Sequence, residues 1–394
     1  MNTFRIEREI TSKDRFDVIV VGGGIAGVAA SVAAAREGAS VLLIEKGINL
    51  GGLATVGLIS WYEPLCDGTG EQMITGISEE LIKLSCQYGF DDLPVKWGGD
   101  GRNKAKNERY STHFSPTVFS LLLDHFVLEN GVKIRFDSLA TVPVMKDGIC
   151  TGVVVESVEG AELFEASMVI DATGNASVMH HAGVPTVNGK NYLSYVSHMF
   201  TYDDAQKLCE TKDIRRFRRW VNTGSDLYGN GHPEGAERPS GTTADEITDF
   251  VIHGKKRMLD KVSGMEKNSF DIMTLPTMPQ FRTIRRIVGN TDFCAIDRET
   301  FEDSIGNCGD FRPKGIGNHY QIPFGALWNK DFPNMLAAGR IISAPEGDGW
   351  EASRVIPVCA LTGEAAGKAA ALCVKENKLL NDVNADDIAK IKIN

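Results

Sequence analysis

Three glycines and one carboxylate give this chain its clearest chemistry. Gly22, Gly24 and Gly27 follow the apolar run Val18-Ile-Val-Val21, and Glu45 stands eighteen residues beyond Gly27. In that spacing the first glycine permits a tight turn, the second lets backbone approach a pyrophosphate, and the third lets helix and strand pack closely. A helix starting near Gly24 aims free N–H groups and its positive dipole end at the phosphate. Ser40-Val-Leu-Leu-Ile44 reads as the next strand, with Glu45 at its tip, where a carboxylate accepts both hydrogens of a ribose diol. A 2′-phosphate would be repelled there, so the expected nucleotide is FAD or NAD rather than NADP.

Groups able to anchor a substrate or move a proton lie elsewhere in the chain. Arg282, Arg285 and Arg286 form the main cationic cluster. In a strand, 282 and 286 share a face; in a helix, 282 meets both 285 and 286. Either arrangement fixes a carboxylate through a guanidinium fork, and salt bridges at a domain interface are an equal alternative. His198 falls in a strand-like run, Tyr195-Val-Ser-His-Met-Phe200, where alternation groups Val196, His198 and Phe200. A lone histidine there is more often a packed core residue than a catalyst. His319 and Tyr320, just before Gln321-Ile-Pro323, form a second acid–base pair, while His113 and His180-His181 are weaker. The histidine pair has no third ligand at metal spacing, so no metal is expected. The eight cysteines (66, 86, 150, 209, 294, 308, 359 and 373) include no C-x-x-C, which argues against a redox dithiol, a zinc site or a cysteine-ligated cluster. Cys66, in a segment containing Pro and Gly, is the thiol to watch, although a buried reduced thiol is the default.

The elements that must hold these groups follow from periodicity. Residues 16–45 form a βαβ unit. Pro116 opens a helix running to Glu129, with Gly131 past its end, and Val132–Phe136 is a short strand. Gly152–Val158 and Ala161–Phe164 read as a hairpin turning at Glu159-Gly160, and Ser167–Asp171 as a buried strand ending in Ala172-Thr173-Gly174. From Pro185 to Pro333 short strands such as Leu193–Thr201 mix with polar helices, and Gly224–Gly241 reads as a surface loop. Arg215-Arg-Phe-Arg-Arg-Trp220 reads as a solvated helix face. Asn334–Arg340 returns to a strand ending in glycine, and Arg354–Val374 is a long helix of small residues. The resulting division is 1–184, 185–333 and 334–394.

At 394 residues the chain exceeds the size at which one core usually stops growing. Its net charge of −10 argues against a broad nucleic-acid surface. The N-terminal residues lack an apolar signal core and no apolar run reaches membrane-spanning length, so a cytoplasmic protein without a membrane span is expected.

The separated segments together carry a resemblance. The βαβ opening, Glu45-Lys46, Gly51-Gly52-Leu-Ala-Thr55, Asp171-Ala-Thr-Gly174-Asn, Ala338-Gly339-Arg340 and Ser353-Arg354-Val355 with the Gly363-Glu-Ala-Ala-Gly367 helix resemble the large two-domain FAD-dependent oxidoreductases. That group includes the fumarate-reductase-like flavoproteins and the FAD subunit of heterodisulfide reductase. Phe281-Arg282-Thr-Ile-Arg285-Arg286-Ile and Gln321-Ile-Pro323-Phe-Gly325 resemble its smaller bacterial members. The resemblance covers nearly the whole chain, with its motifs in the expected order. It implies an α/β protein: a Rossmann-like FAD-binding domain built from both chain ends, with an inserted α+β substrate domain. Gly22, Gly24 and Gly27 would hold the pyrophosphate and Glu45 the ribose, with Lys46 beside it. Gly51, Gly52 and Thr55 would lie along the ribityl and phosphate region, and the 140–142 stretch, through Val142, would offer backbone to adenine. Ala172, Thr173 and Gly174 would cover the phosphate side, and Gly339 and Arg340 would close the pyrophosphate. The helix after Arg354 and Val355 would aim its N-terminus at the pyrimidine edge of the flavin. Hydride would pass between a small organic substrate and flavin N5, with an external electron donor or acceptor. The rival expectation is a structural or sensory FAD without turnover. The chain departs from relatives of this group in lacking a second G-x-G-x-x-G, a cysteine cluster and an Asp-Gly segment of the aromatic-hydroxylase type. These departures argue against a bound nicotinamide domain, an iron–sulfur relay and a monooxygenase.

Overall fold

The structure, a computed structural model, describes residues 7–101 and 109–393; residues 1–6, the start of the segment read for a signal core, lie outside the described residues. Strand β1 (Ser12–Val21) ends in four fully buried residues and turns through Gly22 into helix α1 (Ile25–Arg36). α1 is apolar nearly all round, as suits a helix packed on two sides. β2 (Val41–Ile44) follows, then a two-residue strand β3 (Trp61–Tyr62), helix α2 (Gly76–Cys86) and β4 (Thr112–His113), which pairs with β3. Helix α3 (Pro116–Glu129) starts with proline in its first turn, where the missing N–H is not needed. β5 (Lys133–Arg135), β6 (Leu139–Lys146), β7 (Ile149–Ser157) and β8 (Gly160–Asp171) follow, then the short α4 (Ser177–Ala182).

The inserted region contains β9 (Thr186–Asn188), β10 (Val196–Thr201), α5 (Tyr202–Thr211), β11 (Arg219–Asn222), α6 (Ala244–Ser263), β12 (Phe270–Thr274), β13 (Arg285–Ile287), β14 (Ser304–Cys308) and β15 (Tyr320–Pro323). β11-β10-β12 is an antiparallel sheet whose Tyr195, Met199 and Val221 side pack with Met258 of α6. Leu193, Phe250, Phe281 and Ile284 make a second small core beside it. The chain then re-enters the main sheet as β16 (Met335–Ala337) and closes with α7 (Asp348–Ser353), α8 (Ile356–Glu376) and α9 (Ala385–Ile391).

The main sheet has the order β5-β2-β1-β8-β7-β6, with β16 also paired to β8. β5, β2, β1, β8 and β16 run parallel, and β8, β7 and β6 form an antiparallel meander. The two chain ends thus share one sheet, and α8 lies against α1. Gly363 and Gly367 make that contact possible: a Cβ at either would stand 2.2 Å from the Ala26 or Ala30 carbonyl oxygen.

Three expectations change. The runs at 161–164 and 167–171 are one strand, whose first half pairs with β7 and whose last residues pair with β16. The basic run 215–220 is a 3-10 turn leading into β11, because Asp213 caps the Arg215 N–H and the following residues join the β10 ladder. Cys66 meets the default expectation of a buried thiol: burial pushes its pKa above the ordinary range, so it is not poised to react. α8 is long and apolar enough to cross a membrane, contrary to the reading that no run is, but 83% of its apolar window is buried within the protein, as in a core helix.

Candidate functional site

The site is built where β1, β2, β8 and β16 end. Gly22 adopts φ +102°, and a Cβ there would lie 2.5 Å from the Ala172 carbonyl oxygen; at Gly27 it would lie 1.8 Å from the Gly22 carbonyl oxygen. Only glycine lets β1, α1 and the 172–174 turn approach so closely. Gly24 differs, since nothing lies within 4 Å of where its Cβ would stand, so its backbone faces open space. That space is a cleft of about 610 Å³. Gly22, Gly24, Glu45, Lys46, Gly51, Gly52, Ala172, Thr173, Gly174, Gly339, Arg340 and Arg354 all line it.

Glu45 shapes the mouth. Its carboxylate accepts the Gly23 N–H at 2.6 Å and the Gly47 N–H at 2.7 Å, tying the first turn to the tip of β2. Asp171, wholly buried, performs the matching task at the end of β8. One oxygen accepts the Thr173 N–H at 3.0 Å and hydroxyl at 2.6 Å, and the other accepts the Met179 N–H at 2.9 Å. Burial raises its pKa and these donors oppose the rise. Arg340, partly buried, donates through Nε to the Gly174 carbonyl at 2.8 Å. Burial pulls its pKa down to about 10, and among the described residues no carboxylate pairs with it. A desolvated, unpaired guanidinium opening on a glycine-lined cleft asks for an anion.

The remaining expected cofactor residues sit around rather than in the cleft wall. Gly27 acts through packing alone. Thr55 is buried and its hydroxyl donates to the Leu50 carbonyl at 2.6 Å, so it holds the 50–55 turn. Val355 occupies the N-cap position of α8 and is buried, between the lining residues Arg354 and Ile356. Val142 lies on β6, pairs with Val154 and is 54% exposed, away from the cleft lining.

The substrate-side residues separate. Thr277, Met278, Pro279, Phe281 and Ile284 line the cleft opposite the glycines. Arg282 lies in the same irregular segment, before β13, and is not one of the lining residues. Arg285 and Arg286 are strand residues, and Arg286 pairs with Asp292 at 3.5 Å. His198 is 2% exposed on β10, its Nδ1 without a hydrogen-bond partner among the described residues. Burial, then the charge of Arg218, lowers its pKa to about 4. His319 and Tyr320 do not line the cleft. His319 Nε2 lies 3.3 Å from Asp67 and 3.8 Å from Glu71, and the Tyr320 hydroxyl donates to Asp310 at 3.1 Å and accepts from Asn318 at 2.8 Å. Burial pushes that phenol up to about 12. His113 stacks on Trp61 and bonds Asp92 at 2.9 Å; His180 bonds the Thr186 hydroxyl.

A family model described as FAD dependent oxidoreductase matches residues 17–240 and 243–392. The chain belongs to that family. This flavoprotein is 28% identical over 185 residues to digeranylgeranylglycerophospholipid reductase 2 of Methanothermobacter thermautotrophicus, covering 44% of this chain and 43% of the relative. It is 24% identical over 313 residues to digeranylgeranylglycerophospholipid reductase of Methanoculleus marisnigri, covering 76% and 70%. Among solved structures, a geranylgeranyl bacteriochlorophyll reductase-like protein from Thermoplasma acidophilum shares the fold at TM-score 0.50 and 16% identity, over 96% of this chain and 82% of that one. The first of these relatives is thus matched over less than half its own length.

FAD is the cofactor of this family, and the cleft fits it. The open face of Gly24, the unpaired Arg340 and the α1 N-terminus suit a pyrophosphate, and the apolar far wall suits a ring system. Two contributors escaped sequence reasoning. The sequence shows Asp171 only as part of a turn motif, and its anchoring of that turn needs the folded chain. Glu63, beneath the start of α8, gave no local signal at all.

Proposed function

We propose that this flavoprotein moves hydride between a small organic substrate carrying an anionic group and its cofactor, with an external donor or acceptor completing the cycle. FAD, when bound, supplies the two-electron hydride chemistry. The observation that carries the reading is the pair Arg282 and Arg354. Arg354 lines the cleft, stacks over Trp350 at 4.9 Å and pairs with Glu351 at 2.5 Å. Arg282 donates to the carbonyls of Asp226 at 2.9 Å and Ser225 at 3.4 Å, and no carboxylate pairs with it among the described residues. Burial lowers its pKa, and the charge of Arg354 lowers it further, with the Glu351 and Asp226 carboxylates opposing. Two mutually repelling guanidinium groups, offset in part by the Glu351 and Asp226 carboxylates, give a positive field beside the cleft, which an anionic substrate neutralises. Phe281, Met278 and Ile284 give the same stretch an apolar wall that excludes water.

Of the proton-transfer candidates His198 remains, because the polar atoms of His319 and Tyr320 are engaged by Asp67 and Asp310. His198 is opposite Trp220 in the β10–β11 ladder, so their side chains share a face, and Trp220 Nε1 reaches the Leu58 carbonyl at 3.2 Å. His198 therefore faces the FAD-binding half of the molecule. Burial and the charge of Arg218 disfavour the imidazolium, so the imidazole is neutral at physiological pH.

The test is an anaerobic screen of carboxylate-bearing metabolites, read as bleaching of the flavin. With the reactive compound in hand, Arg282→Lys and Arg282→Ala should lose turnover at least ~10-fold while FAD stays bound. Full turnover in Arg282→Ala removes the anchor, and loss of FAD instead reassigns the residue to the cofactor. Bleaching by uncharged compounds alone contradicts the anionic substrate, and a flavin that no compound bleaches points to a structural or sensory role.

A further inference from the structure

Glu63 follows β3, is 7% exposed, and turns its carboxylate to the first turn of α8, where it accepts the Ile356 N–H at 3.1 Å. The helix offers no cap of its own: Val355 at the N-cap position makes no side-chain bond, Pro357 has no N–H, and the first turn holds no acid. Glu63 thus caps, from a distant part of the chain, a helix whose Ile356 and Cys359 line the FAD cleft. No ion pair to Glu63 forms among the described residues. The groups that act on it are Arg354, already paired with Glu351 at 2.5 Å, the neighbouring Tyr62, whose phenol donates to the Ser78 carbonyl, and the Cys359 thiol, which in turn faces Arg340. Burial raises the Glu63 pKa to about 7, with the Ile356 N–H and Arg354 opposing.

We propose that Glu63 is the positioning residue that couples proton uptake to flavin reduction: it gains one proton when the bound FAD gains electrons and returns it on reoxidation. The balance is two electrons and one proton to FAD, delivered as hydride by the substrate or by an added reductant plus a solvent proton. A second solvent proton converts the Glu63 carboxylate to the acid. Reduction adds negative charge at a cofactor whose cleft is lined by Ile356, in the first turn of α8, where the helix dipole is positive. An ionised carboxylate on that same helix end opposes the added charge, whereas the protonated acid does not. The coupling is reciprocal, so reduction tightens the hold of Glu63 on its proton. Ordinary pairing with a cation would fix Glu63 as ionised; burial without one leaves both protonation states accessible near neutrality.

The experiment is a dye-equilibrated redox titration of the FAD-loaded protein across the acid, neutral and alkaline ranges. A two-electron couple taking up one proton moves ~30 mV per pH unit, and one taking up two protons moves ~59 mV. The wild type should show a steep two-proton segment near neutral pH, bounded on both sides by one-proton slopes. Glu63→Gln should follow the one-proton slope throughout, and Glu63→Asp should restore a steep segment at a displaced pH. The reduced-minus-oxidised infrared spectrum of the wild type at neutral pH should gain a carboxylic acid C=O band that shifts on isotopic labelling of glutamate. A steep segment that survives in Glu63→Gln, or the absence of that band in the wild type, overturns the proposal. Should Glu63→Gln fail to fold, the labelled wild-type spectrum and Glu63→Asp decide the matter.

Discussion

Replacing Arg340 with methionine separates binding from folding in a way few positions allow. The guanidinium is held at about 10, well below its ordinary range, chiefly by burial. At 1.36 kcal/mol per unit, that difference corresponds to up to about 3 kcal/mol of unfavourable charge burial in the cofactor-free protein, an upper figure because the group still opens on the cleft. Against it stands the Nε–H bond to the Gly174 carbonyl, worth about 1 kcal/mol net. Arg340→Met removes both and keeps a long apolar side chain, so the apoprotein should be unchanged or up to about 2 kcal/mol more stable in denaturant unfolding. FAD binding should weaken, because a charge-assisted contact to phosphate contributes about 1.5–3 kcal/mol, or roughly 10- to 150-fold in Kd. Quenching of FAD fluorescence on titration into apoprotein measures this directly. An apoprotein destabilised by several kcal/mol, with FAD affinity unaltered, would show that Arg340 holds the fold and not the cofactor.

Other expectations follow from the same geometry. Glu45→Arg loses two short charge-assisted bonds, to Gly23 and Gly47, and should lower FAD retention by roughly 1.5–3 kcal/mol on gel filtration or titration; unchanged retention would confine Glu45 to the surface. Gly27→Val sets a side chain 1.8 Å from the Gly22 carbonyl oxygen, so the purified variant should be colourless or insoluble, and a soluble yellow protein would contradict the packing of α1 on β1. Glu63 has a folded pKa of about 7 against 4.5 for the free side chain, so the folded state binds its proton more tightly. Its contribution to apoprotein stability is full below 4.5, falls as pH rises from 4.5 to 7, and is lost above, a span of about 3 kcal/mol. Glu63→Gln should remove that slope from a plot of unfolding free energy against pH, and an unaltered slope would assign it to other groups.

The sequence disclosed those parts of the fold that are dictated locally. Four consecutive apolar residues before a glycine turn can only be a buried strand when a helix and a second apolar strand follow within thirty residues, and Gly22, Gly24, Gly27 and Glu45 were placed by that pattern alone. The return at 334–374 was legible for the same reason. What the sequence hid depends on partners far along the chain. Arg215–Trp220 looks like a solvated helix face until Asp213 caps it and β10 pairs with it. His319 and Tyr320 looked free to serve the flavin, but Asp67, 252 residues away, and Asp310 engage them first. Arg282 stands out in the sequence for its chemistry, and the charge of Arg354 acts on it only because segments far apart in the chain come near one another in the fold. Glu63 carries no local signal, since its burial and its cap on α8 arise from a contact spanning 293 residues.

The central claim is that this chain holds FAD in the cleft between its two ends. The most direct measurement is the visible spectrum of the purified protein, followed by chromatography of the cofactor released on denaturation. The expected result is a flavin absorbance and one FAD released per chain, with Arg340→Met protein releasing less after the same dialysis. A colourless protein that cannot be reconstituted with FAD, or one that releases only a nicotinamide nucleotide, would contradict it.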